Sequence, residues 1–245
     1  MERQANFSSI FGETFSLITD GVRGALIFVL VIAGLNGVGV ALGVVEQDGG
    51  LGTIGTGFAI DAQAGAAVAL FQLVTSVVSV IASYLLLAHF LERRGRLASR
   101  ETRIWAYIGM GILSGLGTIV GFILLIVPGV ILILRWSAAS GFLIGARKGV
   151  VESLSASWEA TRGHSWPILG AGLVLFLLVI VAGVVVGGIG GGIGAAVGNM
   201  TTVTTTVALV SGLAEAVATV IFLAFGIAIY VLVDRDLGEI GEVFA

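Results

Sequence analysis

Residues 104–146 constrain this chain more than any other segment: 43 consecutive positions in which Arg135 is the one charged side chain. A helix rising 1.5 Å per residue needs about 20 apolar residues to cross roughly 30 Å of hydrocarbon. The stretch is therefore two crossings long. Pro128-Gly129 lies near its middle, and a hairpin turn there yields spans at 104–127 and 129–146. One long kinked helix is the alternative, but it would leave about 30 Å of apolar surface outside the bilayer.

The same criterion finds further spans at about 24–45, 64–91, 167–197 and 205–233. Six spans predict an all-α, polytopic membrane protein forming a single membrane domain over residues 1–245. Composition agrees, because 57% hydrophobic and only 11% charged residues cannot clothe a water-exposed surface. The opening "MERQANFSSIFGETFSLITD" is mixed in charge and has no apolar core after a basic start, so it does not read as a cleaved signal peptide. A net charge of −3 argues against a nucleic-acid partner, and the absence of cysteine excludes thiolate metal sites and thiol nucleophiles.

Orientation follows from the loops. Residues 92–103 hold five arginines against two glutamates, and 146–165 hold Arg147, Lys148 and Arg162, whereas 46–63 and 197–206 hold no Lys or Arg. Basic loops stay cytoplasmic, so six spans place both termini in the cytoplasm. Two amphipathic interfacial helices are expected at 7–20 and 150–162. The first carries Phe7, Ile10, Phe11, Phe15 and Ile18 on one face; the second carries Val151, Leu154, Trp158 and Thr161. Gly21 and Gly163 would end them. The order of surface helix, span out and span back thus occurs twice around the central hairpin, which suggests a parallel repeat.

Polar groups inside the spans are few. Arg135 lies about 10 Å below the outer end of its predicted helix, where burying a cation costs from about 2.5 to more than 10 kcal/mol. Glu215 is the one carboxylate inside an apolar run, and tilt plus side-chain reach would let it meet Arg135. Gln72, Asn36 and Thr118 complete a candidate intramembrane cluster, either a structural clamp or a site for an anion or lipid phosphate. Gly183, Gly187 and Gly191, and likewise Gly190, Gly194 and Gly198, recur at the four-residue spacing that lets another helix approach closely. Their tract lacks the strand and the acidic residue of a dinucleotide loop. Neither the hydroxyls nor His89 and His164 form a nucleophile or metal constellation, so no enzyme activity, metal or cofactor is expected.

Val127-Pro128-Gly129, then Arg135-Trp136, then Ser157-Trp158 through Thr161 and Gly163 form a pattern that resembles bacterial membrane proteins related to the membrane domain of glycerophosphoryl diester phosphodiesterase. The likeness covers about 45 residues closely. It implies a bacterial inner (cytoplasmic) membrane and six spans, here without the soluble phosphodiesterase domain that would hydrolyse headgroups. The expected role is that of a non-catalytic subunit or organiser of membrane protein and lipid assemblies, with lipids, another membrane protein or a second copy as partners. A small transporter or channel-like protein for a lipid-derived or anionic solute is the alternative, and a lipid-headgroup enzyme comes third.

Overall fold

The computed structural model describes residues 5–42, 65–197 and 200–243. Nine helices are present among them: α1 (Phe7–Asp20), α2 (Val22–Ala41), α3 (Ala66–Arg93), α4 (Ile104–Leu124), α5 (Ile126–Trp136), α6 (Ala139–Ile144), α7 (Val150–Ala160), α8 (Ser165–Val197) and α9 (Met200–Val243). Six segments are long and apolar enough to cross a bilayer: Val22–Ala41, Ala66–Arg93, Ile104–Leu124, Ile126–Ile144, Ser165–Ile193 and Thr205–Asp234. The chain is a multi-pass helical membrane protein. Residues 43–45 and 64 of the expected spans lie outside the described residues, and α9 continues beyond the expected end at 233.

The turn of the central hairpin is not at Pro128-Gly129. α4 ends at Leu124, Leu125 is extended (φ −169°, ψ 153°), and Pro128 and Gly129 belong to the first turn of α5. The proline sets this position from a distance. Within a continuous helix its ring would clash with the carbonyl four residues back, that of Leu124; in a first turn its missing N–H is no loss. Glycines then bring α4 and α5 close: a Cβ on Gly121 would lie 2.7 Å from Leu132, and one on Gly129 2.6 Å from the Phe122 ring.

The predicted helix 129–146 is also broken. Ser137 and Ala138 form a turn between α5 and α6 while keeping right-handed helical angles. α7 packs on α4, α5 and α6, and its buried face is Ser153, Leu154, Ser157, Ala160 and Thr161; Leu154 and Thr161 belong to the expected face, whereas Val151 of that face is exposed. In α1 the buried face is Ile10, Glu13, Thr14 and Leu17. Phe7, Phe11 and Phe15 instead form a partly exposed outer row, with ring centroids 6.0 and 4.9 Å apart. Gly163 ends α7 in the left-handed region (φ 92°). Gly21 does not (φ −101°); it is needed because a Cβ there would meet the Phe90 ring at 2.8 Å.

Two compact units divide the chain. One comprises Met1–Val22, Tyr84–Val174 and Phe222–Ala245. Its core is the stretch Ala224–Val233 of α9, buried on every side, as befits a helix apolar all round. Tyr230 packs edge-on against Phe142 at 4.9 Å. A Cβ on Gly141 would lie 2.2 Å from the Tyr230 ring, and one on Gly145 3.0 Å from its hydroxyl, so α6 needs glycine at Gly141 and at its C-cap, Gly145. The other unit comprises Arg23–Ser83 and Leu175–Ile221. There Asn36 of α2 lies over Gly212 of α9, and Gly190 and Gly191 of α8 face Val210 and Val207.

Candidate functional site

Ionisable side chains in the first unit settle into two different situations. Near the chain's arginine-rich loops they are matched. Arg94, just past α3, reaches Glu13 through Nε (2.7 Å), Asp20 through Nη1 (2.7 Å) and Ser16 through Nη2 (2.7 Å), fastening α1 to the end of α3. Its hydrogen bond to Asp20 holds that carboxyl below its ordinary value. Arg96 pairs with Asp234 and Arg100 with Glu92. Arg147, in the left-handed region (φ 56°), pairs with Glu101 at 2.8 Å. Arg103 Nη1 donates to the carbonyls of Lys148 (2.9 Å) and Leu143 (3.4 Å), binding the α6–α7 loop to the start of α4.

Arg135 is the other situation. Its backbone carbonyl, one residue before α5 ends, accepts from Ser157 Oγ at 2.6 Å and from Thr161 Oγ1 at 3.5 Å. A helix break frees carbonyls that would otherwise accept intrahelical bonds, and two hydroxyls of α7 cap this one. The guanidinium carbon lies 5.5 Å from the centroid of the Trp158 ring, a cation–π arrangement. Nη1 is buried and has no hydrogen-bond partner. Among the described residues Arg135 forms no ion pair.

The sequence-predicted cluster is thus distributed. Arg135 and Thr118 belong to the first unit; Gln72, Asn36 and Glu215 belong to the second. Thr118 follows Gly117, on which the Trp136 ring packs. Glu215 is exposed on α9, its carbonyl accepting from Thr219 Oγ1 at 2.9 Å. The residues around Arg135 are Ser157, Trp158 and Thr161, all in the motif quoted above but read there as parts of a surface helix. Two hydroxyls four residues apart on the inward face of α7 were the available signal. Of the glycine tract, Gly190 and Gly191 serve packing on α9, Gly183 and Gly187 have open space beside them, Gly194 is on the same helix, and Gly198 lies outside the described residues. No group of three or more His, Asp or Glu able to hold a metal occurs among the described residues.

The fold and these contacts define a polytopic helical membrane protein with an arginine held beside a broken span. No family model, curated protein or solved structure matches the chain.

Proposed function

We propose that this is a non-catalytic protein of a bacterial inner membrane, with both termini cytoplasmic, acting as a subunit or organiser of membrane protein and lipid assemblies. One observation carries the reading: α8 offers two pairs of glycines at four-residue spacing, Gly183 with Gly187 and Gly188 with Gly192, with nothing within 4 Å of where a Cβ would stand. Without a hydrophobic drive between helices in lipid, association rests on close packing across such small residues. The partner is another membrane protein or a second copy. The basic loops support the orientation, the exposed Phe7, Phe11 and Phe15 row supports an interfacial α1, and the Val-Pro-Gly, Arg-Trp and Ser-Trp pattern supports kinship with the phosphodiesterase membrane domain.

Solubilisation in mild detergent followed by affinity purification tests the reading. A stoichiometric partner or homo-oligomer that dissociates in Gly187→Leu is expected; a solitary monomer, unchanged by that substitution, overturns it. The second reading, a transporter or channel-like protein for an anionic solute, draws on the unmatched guanidinium of Arg135 and predicts solute flux in proteoliposomes.

A further inference from the structure

We infer that Arg135 is a binding site for a phosphate oxyanion, with Trp158 as the wall that orients the guanidinium. The argument starts from donor geometry. A guanidinium has five N–H donors lying in its plane and is always charged. The Trp158 ring, its centroid 5.5 Å from the guanidinium carbon, attracts the cation through its π-face and offers no oxygen to the N–H donors. Nη1 is buried without a hydrogen bond, and no carboxylate among the described residues pairs with the group.

Neighbouring acceptors have other duties. The Arg135 carbonyl is taken by Ser157 and Thr161, and the Thr161 hydroxyl also donates to Ser157 O at 2.8 Å. What remains is a planar donor fork in an apolar span, the shape that a phosphate matches with two parallel hydrogen bonds. Access is through α7. This helix begins beside Gly109, where an added Cβ would lie 3.9 Å from Val150, and reaches the Arg135 carbonyl at Ser157. Those seven residues carry it about 10 Å along the hairpin flank. Its opposite side, with Ser155, Glu159 and Arg162, is exposed, so polar surface extends to the depth of Arg135. The phosphate is that of a phospholipid headgroup or of a free anion; the chemistry is shared.

The experiment uses delipidated full-length protein in detergent. Thermal unfolding is followed while titrating, in separate arms, phosphatidylglycerol, diacylglycerol of the same chains without a phosphate, and inorganic phosphate. Saturable stabilisation by phosphatidylglycerol but not diacylglycerol is expected, since binding to the folded state alone raises stability by mass action. Inorganic phosphate acting equally identifies a free anion, and its inactivity identifies the headgroup. Arg135→Lys, a point charge without the fork, should weaken the phosphate-dependent effect about tenfold, and Trp158→Leu should weaken it while leaving Arg135 in place. The inference is overturned if the wild-type protein responds alike to phosphatidylglycerol and diacylglycerol and not to phosphate, or if a folded Arg135→Lys or Trp158→Leu variant responds as the wild type does.

Discussion

Replacing Arg94 with leucine should release α1. Arg94 is 16% exposed and Glu13 only 6%, so the substitution leaves a carboxylate buried with no cation. Breaking a buried pair from one side costs about 3–5 kcal/mol. The lower figure applies here, because residual exposure of Arg94 gives water some access and Asp20, half exposed, adds nothing to be counted. Since the cluster fastens α1 to the end of α3, the loss falls on the local opening of α1 rather than on the whole fold. About 3 kcal/mol corresponds to roughly a hundredfold faster amide hydrogen exchange across α1, measurable by mass spectrometry in detergent. The double variant Arg94→Leu, Glu13→Leu should recover most of the protection, since apolar replacement of both partners is often neutral or stabilising. Exchange within about threefold of wild type in the single variant, or a double variant as open as the single, would refute the reasoning.

Four further outcomes are expected. Gly141→Ala forces a Cβ against Tyr230 and should cost about 1–3 kcal/mol in detergent unfolding, whereas Gly111→Ala, with open space beside it, should be neutral or slightly stabilising. Pro128→Ala should change stability by less than about 1 kcal/mol and leave the hairpin formed, as cross-linking between α4 and α5 would report, because the close packing at Gly121 and Gly129 still holds the two helices together once the ring is gone. Ser157→Ala removes the 2.6 Å donor to the Arg135 carbonyl and should cost about 1–2 kcal/mol in the same unfolding assay. Lowering pH should loosen α1: Asp20 has a folded value below its ordinary 3.8, so its contribution is present above 3.8 and lost as pH falls through the folded value. Asp20→Asn should abolish that acid-dependent step in α1 exchange, once intrinsic exchange rates are corrected for.

The spans were legible because the bilayer dictates apolar length, and length is written directly in the chain. The hairpin was legible too, but the turn fell at Leu125, three residues before Pro128. A proline bars helix at the carbonyl four residues behind it, so reading Pro128 as the corner mistook the start of α5 for its boundary. The break after Trp136 left no such mark: "WSAAS" contains neither glycine nor proline, and only the hydroxyls of Ser157 and Thr161, arriving from another helix, stabilise the freed carbonyl. Helical periodicity located α1 and α7 but not every residue that docks them. Glu13 is polar and was expected outward, yet Arg94 draws it inward, and Ser157, assigned to neither face, turns inward to the Arg135 carbonyl. Contacts between elements distant in sequence override a local pattern.

Arg94, Arg96, Arg100, Arg103 and Arg147 show what this chain does with an arginine it means to satisfy. Each has at least one oxygen acceptor, and Arg103 manages with backbone carbonyls alone; Arg147 also keeps a buried Nη1 without a hydrogen bond, but its Nη2 is held by Glu101. A carboxylate was therefore not required to quiet a cation in this fold. At the α5–α6 break hydroxyls of Ser157 and Thr161 cap the Arg135 carbonyl, and the Trp158 indole lies beside the guanidinium. A clamp that served stability alone would gain by directing Nη1 to an oxygen, since an unmet buried donor costs about 1–3 kcal/mol and more when charged. Leaving it unmet where leucine would pack without that cost is consistent with a group held ready for an acceptor from outside the chain.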